Sequence, residues 1–165
     1  MLNHLGESGT WPPGDRASYI VPARELGRFL LGNRVDVREW PVFASDGRLV
    51  GAVQRLMVEH ASKKIRYIAV SLIRDAVHDF KPTEPGSVLV PIGVVRRLDD
   101  RQAIVLDGLA SGQLARAPRL RARAVIRADE DATLAAYGMP NSREVSAADF
   151  YKSPHFDERR LYVDG

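Results

Sequence analysis

The sequence predicts a mainly β protein: a small β-barrel of five to six strands, with short flanking helices and extended N- and C-terminal arms. Three observations carry this reading. Runs rich in β-branched and aromatic residues recur between residues 35 and 107, separated by turn signals at the short spacing of small barrels. Asp46-Gly47 separates two of these runs, and Asp-Gly is a strong hairpin signal because both residues tolerate positive φ. In the run after that turn, Leu49, Gly51, Val53 and Arg55 share one parity and Val50, Ala52, Gln54 and Leu56 the other. Apolar groups on both parities mean a strand covered on both faces, or a bulge that switches face near Gly51.

The elements follow in order. Residues 1–18 are polar and rich in Gly and Pro, which reads as an extended arm with Trp11 before the stiff pair Pro12-Pro13. Residues 19–33 read as a short docking helix. Pro22 suits its first turn, and Leu26, Phe29 and Leu30 fall on one face. The barrel spans 34–107. Trp40-Pro41-Val42-Phe43 leads into the Asp-Gly turn and the strand that ends at Glu59. Ala61-Ser62-Lys63-Lys64 is a polar turn, and residues 65–72 form the next strand. Residues 74–86 are a loop. Residues 87–92 form a strand whose Pro91 belongs at an edge or bulge. Residues 94–98 and 102–106 form a hairpin about Asp99-Asp100.

A helical extension spans 108–140. Leu109 to Leu114 makes a helical turn that Ala117-Pro118 breaks. Asp129 caps a second helix, with Glu130 and Asp131 favourable in its first turn, and Gly138 and Pro140 stop it. Residues 141–165 read as a tail. Ser146 caps a short helix through Tyr151, and Leu161-Tyr162-Val163 adds an edge strand or docks on a partner. The aromatic residues Trp11, Phe150, Tyr151, Phe156 and Tyr162 then act as anchors in arms that order only against a partner.

The composition excludes several function classes. The chain has 165 residues, enough for one domain with a normal core, and no cysteine. That removes disulfide scaffolds, thiol nucleophiles, iron–sulfur clusters and thiolate zinc sites. The four histidines, His4, His60, His78 and His155, make no HExxH. Nucleophile-elbow, phosphate-loop and dinucleotide motifs are absent, so no enzyme is expected. No run of eighteen apolar residues spans a bilayer, and residues 1–10 have no export-signal pattern, which points to the cytoplasm.

Two charge features stand out. The formal net charge is +3, and the basic residues are mostly arginine. Arg116, Arg119, Arg121, Arg123 and Arg127 lie in a stretch with no acid, before Asp129-Glu130-Asp131 reverses the sign. Arg119, Arg121 and Arg123 share a face if extended. Such a face is either simply solvated or attaches to anionic lipid head groups. Nucleic acid is disfavoured, because neither interleaved aromatics nor a recognition motif accompanies the arginines. The second feature is Glu59 and Arg66, which fall close enough for an ion pair if the strands on either side of the 61–64 turn pair antiparallel, and a plain surface pair is the competing reading. Asp99-Asp100 is read as turn chemistry, Asp129-Glu130-Asp131 as helix-start electrostatics, and His60 and His78 as surface residues.

The segment from Asp36 to Leu109 resembles a PRC-barrel domain. The matching positions are Pro41-Val42, Asp46-Gly47, Val50-Gly51, Val53, Leu56, Val58, Arg66-Tyr67, Val70 and Val88-Leu89-Val90-Pro91. The following stretch is similar to the run after the barrel in the cytoplasmic domain of the photosynthetic reaction centre H subunit, at Leu109, Leu114-Ala115, Pro118, Arg119, Glu130-Asp131 and Tyr137. The resemblance implies a non-enzymatic subunit on the cytoplasmic face of a photosynthetic membrane, peripheral, capping the quinone side of the reaction-centre core.

Glu59 and Arg66 would then belong to the network beside the secondary quinone. Ser62 stands where the family has a second acid, and the family's proton-gathering histidines have no counterpart in 19–34. Bacteriochlorophyll and quinone would sit in partner subunits, with no cofactor on this chain. The partners implied are the core subunits, a separate transmembrane H-like subunit and anionic lipid. Leu26, Phe29, Leu30, Arg116, Arg119, Arg121 and Arg123 would dock on core or lipid. The alternative is a soluble PRC-barrel adaptor for a protein or RNA-processing partner. The ribosome-maturation factor of the family carries a further N-terminal barrel that residues 1–34 do not supply.

Overall fold

The computed structural model describes residues 20–23, 35–74, 80–82, 84, 86–120 and 124–162. Among these residues, seven strands make one mixed sheet: β1 (Ile20–Pro22), β2 (Pro41–Phe43), β3 (Leu49–Glu59), β4 (Ile65–Leu72), β5 (Ser87–Pro91), β6 (Val95–Leu98) and β7 (Ala103–Leu106). The order is β5-β4-β3-β2-β7-β6, with β1 also on β3. All neighbours are antiparallel except β2 and β7. Gly47 takes φ +84° at the β2–β3 turn, as the Asp-Gly signal requires.

The long strand β3 organises the sheet. One edge pairs with β4; the other pairs with β2 near Gly51 and with β1 near Val58. Ile20–Pro22 is therefore a strand and not the start of a helix. Proline is tolerated there because Pro22 ends a short strand. Leu26, Phe29 and Leu30 lie outside the described residues, as does Trp11. The face switch expected near Gly51 is present: Val42 opposes Gly51 and Phe43 opposes Leu49, leaving Val50 as the extra residue. A second bulge falls at Gln54, against β4.

The two outer strands of the sheet, β5 and β6, are joined by only one 3₁₀ turn, Ile92–Val94. Three residues span at most about 11 Å, so the sheet must curl until its edges nearly meet. The interior of this open barrel is apolar, with Val42, Val53, Leu56, Ile68, Val90, Ile104 and Leu106 all at most 1% exposed.

The seam between β5 and β6 is covered by the C-terminal helix. Leu161 of α3 (Arg159–Tyr162) enters the interior core, and Arg97 Nη1 on β6 donates to the Leu161 carbonyl at 2.7 Å. Leu161 is thus helical and inserted into the fold, not on an edge strand. The side chain of Tyr162 and all of Val163 lie outside the described residues.

A second core lies on the outer face of β3, β4 and β5. Ile20, Met57, Tyr67, Ala69 and Leu89 point outward into it. Helix α2 (Arg127–Ala136) contributes Leu134, and the C-terminal 3₁₀ segments at Ala147–Lys152 and Pro154–Phe156 contribute Phe150 and Phe156. This explains apolar residues on both parities.

Phe150 and Phe156 are 2% and 3% exposed, so they are internal core residues and not anchors awaiting a partner. Their rings stack at 5.6 Å, with Tyr67 edge-on to Phe156 at 5.4 Å. Tyr137, at the end of α2, donates its hydroxyl to the Leu89 carbonyl of β5 at 2.6 Å, and burial pushes that phenol's pKa up. Helix α2 starts two residues before the expected cap. Asp129 acts from inside the first turn, its Oδ2 accepting the Ile126 N–H at 3.1 Å.

Helix α1 (Ser111–Arg116) is held by the first hairpin. Ser111 Oγ donates to Asp46 Oδ2 at 2.7 Å, and the Ser111 N–H does so at 3.2 Å. Burial pushes the Asp46 carboxyl pKa up, but these bonds outweigh it and hold the group below its ordinary value. Among the described residues, no helix is long and apolar enough to cross a membrane.

Candidate functional site at the tip of the central hairpin

The site grows from an irregularity in β4. Met57 opposes Tyr67, yet the next residue, Val58, opposes Ile65. Arg66 is the extra residue of a β-bulge. Ile65 and Tyr67, two apart, would share a face on a regular strand. Here Ile65 belongs to the barrel interior and Tyr67 to the outer core. Bulges re-aim side chains in this way. The Ile65 N–H donates to Glu158 Oε2 of the C-terminal segment at 2.9 Å.

Arg66 meets Glu59 across the turn, as the spacing predicts. Its Nε and Nη2 donate to Glu59 Oε1 at 3.0 and 2.8 Å, and Ser62 Oγ donates to the same oxygen at 2.7 Å. The turn geometry makes this possible. Lys63 takes φ +62°, its N–H donates to the Glu59 carbonyl, and the Glu59 N–H donates to the Lys64 carbonyl. The side chains of Arg66 and Glu59 are 11% and 14% exposed, so the pair is far drier than an ordinary surface ion pair.

Behind this cluster lies a group that charge pattern alone does not reveal. Glu130 of α2 is 0% exposed. Its Oε1 accepts the hydroxyls of Tyr67 at 2.7 Å and Tyr151 at 2.6 Å, and Arg127 Nη1 lies 3.3 Å from Oε2. Burial, then the Glu130 charge, pushes both phenol pKa values well up, so they remain donors. Arg127 lies over the Phe150 ring at 3.8 Å, and Arg66 lies over the Tyr151 ring at 4.3 Å. The hairpin, α2 and the C-terminal segment therefore meet through charge-assisted hydrogen bonds and cation–π contacts.

The remaining site residues separate. Arg119 is not a free cation on an extended stripe. Its Nε donates to the Glu84 carbonyl at 2.9 Å, its Nη2 to Ala115 at 2.8 Å and its Nη1 to the carbonyls of Leu114 and Ala117. It closes the C-terminal end of α1 with a positive charge where the helix dipole favours one. Arg116 is exposed beside it, and Arg121 and Arg123 lie outside the described residues. Among the described residues, no group of three His, Asp or Glu is placed to hold a metal ion. The outer face of β2, β7 and β6 carries an open groove of about 500 Å³, lined by Pro41, Phe43, Leu98, Arg101 and Val105 among others.

A small open β-barrel, with a helical layer over the outer face of β3, β4 and β5, is the class this fold defines. Residues 33–111 match the family model of the PRC-barrel domain, and that span of the chain is a PRC-barrel.

Proposed function

We propose that this chain is a non-enzymatic subunit that caps the quinone side of a bacterial photosynthetic reaction centre from the cytoplasmic face. The observation that carries the reading is the Glu59–Ser62–Arg66 cluster at the hairpin tip of a PRC-barrel. It places a fixed charge pair and a hydroxyl near the surface. Such a pair shapes the local potential, and Ser62 can pass a proton through water but cannot store one. Pigment and quinone sit in the partner subunits, and a transmembrane H-like subunit is a further partner. Exposed Arg116, together with Arg121 and Arg123, supplies attraction to anionic head groups, worth about 1 kcal/mol per residue near the surface.

The test is Glu59→Gln in assembled complexes, read by flash-induced semiquinone decay. The second, proton-coupled electron transfer to the secondary quinone slows several-fold, because a charge is lost while a hydrogen-bonding isostere stays. A loss of two orders of magnitude means Glu59 is an obligatory carrier. No change reduces Glu59 and Arg66 to a structural pair.

The alternative reading is a soluble adaptor for a protein or RNA-processing partner. The open groove on the uncovered half of the barrel favours it, since half-buried Phe43, Leu98 and Val105 offer apolar contact to another protein. Retention of the protein in the soluble fraction, with a stoichiometric protein partner, would decide for it.

A further inference from the structure

We infer that Tyr151 is a positioning residue for Arg66, so that the charge cluster at the hairpin tip is completed by the C-terminal segment and not by the barrel alone. Arg66 is the bulge residue of β4, so a regular cross-strand neighbour does not fix its direction. An arginine side chain is long and flexible, and two hydrogen bonds to a single carboxylate oxygen hold only one edge of the guanidinium. In this fold the guanidinium has a second support. One side donates to Glu59 Oε1, and its central carbon, Cζ, lies over the Tyr151 ring at 4.3 Å from the ring centre.

The support is itself rigid. The Tyr151 hydroxyl is held by Glu130, whose same oxygen accepts from Tyr67, the residue that follows Arg66 in the chain. Phe150 and Phe156 meet the Tyr151 ring edge to face at 4.9 and 5.0 Å. The contacts form a closed circuit from Arg66 to Tyr151, to Glu130, to Tyr67 and back along the backbone. Coupling of this kind is reciprocal: the segment that steadies Arg66 is steadied by it. The inference concerns the site itself and stands whichever partner the site serves.

The test uses the full chain, labelled with ¹⁵N, and reads exchange of the Arg66 Nε–H with water. Tyr151→Phe keeps the ring over Arg66 but releases it from Glu130, so that exchange rises by less than in Tyr151→Leu. Tyr151→Leu removes the ring and speeds it by about three- to ten-fold, the equivalent of one partly desolvated cation–π contact. Leu161→Ala loosens the C-terminal segment from the barrel-interior core, apart from the cluster that holds Tyr151, and serves as the control. An unchanged rate in Tyr151→Leu, or an equal rise in Leu161→Ala, overturns the proposal. Should Tyr151→Leu not fold, Arg66→Lys supplies the reciprocal measurement. It keeps a charge beside Glu59 but loses the planar face, so backbone amides of 147–156 exchange several-fold faster while those of β6 and β7 do not. Unaltered amide exchange in that segment overturns the proposal equally.

Discussion

Glu130→Ala destabilises the protein by about 3–5 kcal/mol, the range for removing one partner of a buried ion pair. The carboxylate is fully buried, and its loss leaves Arg127 (6% exposed) without the charge that faces it. The same substitution strips the acceptor from the hydroxyls of Tyr67 and Tyr151, and buried donors left without acceptors are costly. Glu130→Gln costs less, because an amide oxygen still accepts from both phenols while the charge is lost. Urea unfolding followed by tryptophan fluorescence and by circular dichroism measures both variants. A loss below about 1 kcal/mol for alanine would mean that the network adds little beyond packing.

Gly93→Ala is the second large effect. Gly93 lies in the buried 3₁₀ turn that joins the two outer strands. A Cβ there would overlap the Pro154 carbonyl oxygen and the carbonyl group of His155. These are backbone atoms, so no rotamer change relieves the clash. The expected cost is about 1–3 kcal/mol or more, as for other overpacked cores. The strain falls on the C-terminal segment. In the wild-type protein that segment resists limited proteolysis, since Phe150, Phe156 and Leu161 are core residues. In Gly93→Ala, cleavage appears first between 141 and 160. Identical digestion patterns and melting temperatures would show that the segment does not seat against Gly93.

Much of the barrel is legible in the sequence because its signals are local. Asp46-Gly47 marks a hairpin, Pro91 marks the end of an edge strand, and Glu59 and Arg66 are placed by turn length alone. The C-terminal segment is legible only in part. Phe150, Tyr151 and Phe156 sit on short 3₁₀ turns, too brief to show a helical period, and polar residues between them imitate a tail. Glu130 is hidden by its neighbours, because an Asp-Glu-Asp run looks like first-turn electrostatics. A signal is nevertheless present: Glu130, Leu134 and Tyr137 fall at i, i+4 and i+7, which puts the carboxylate on the apolar face of α2. Ile20–Pro22 is strand because β3 offers it an edge, which no window of local sequence contains.

Arg66 joins these two kinds of evidence. Its pairing with Glu59 follows from spacing, whereas its support by Tyr151 depends on a bulge and on contacts between residues more than eighty positions apart. The site is therefore a property of the whole fold, and Gly93→Ala and Glu130→Ala should disturb it from a distance.

The functional reading is tested most directly by fractionating cells that make both this chain and bacteriochlorophyll. The protein should sediment with the pigmented membranes at low ionic strength. It should also co-purify with reaction-centre absorbance after gentle solubilisation, and about 1 M salt, where screening acts within roughly 3 Å, should release it without detergent. A protein that stays in the soluble fraction at low ionic strength and carries no pigment when captured does not cap a reaction centre.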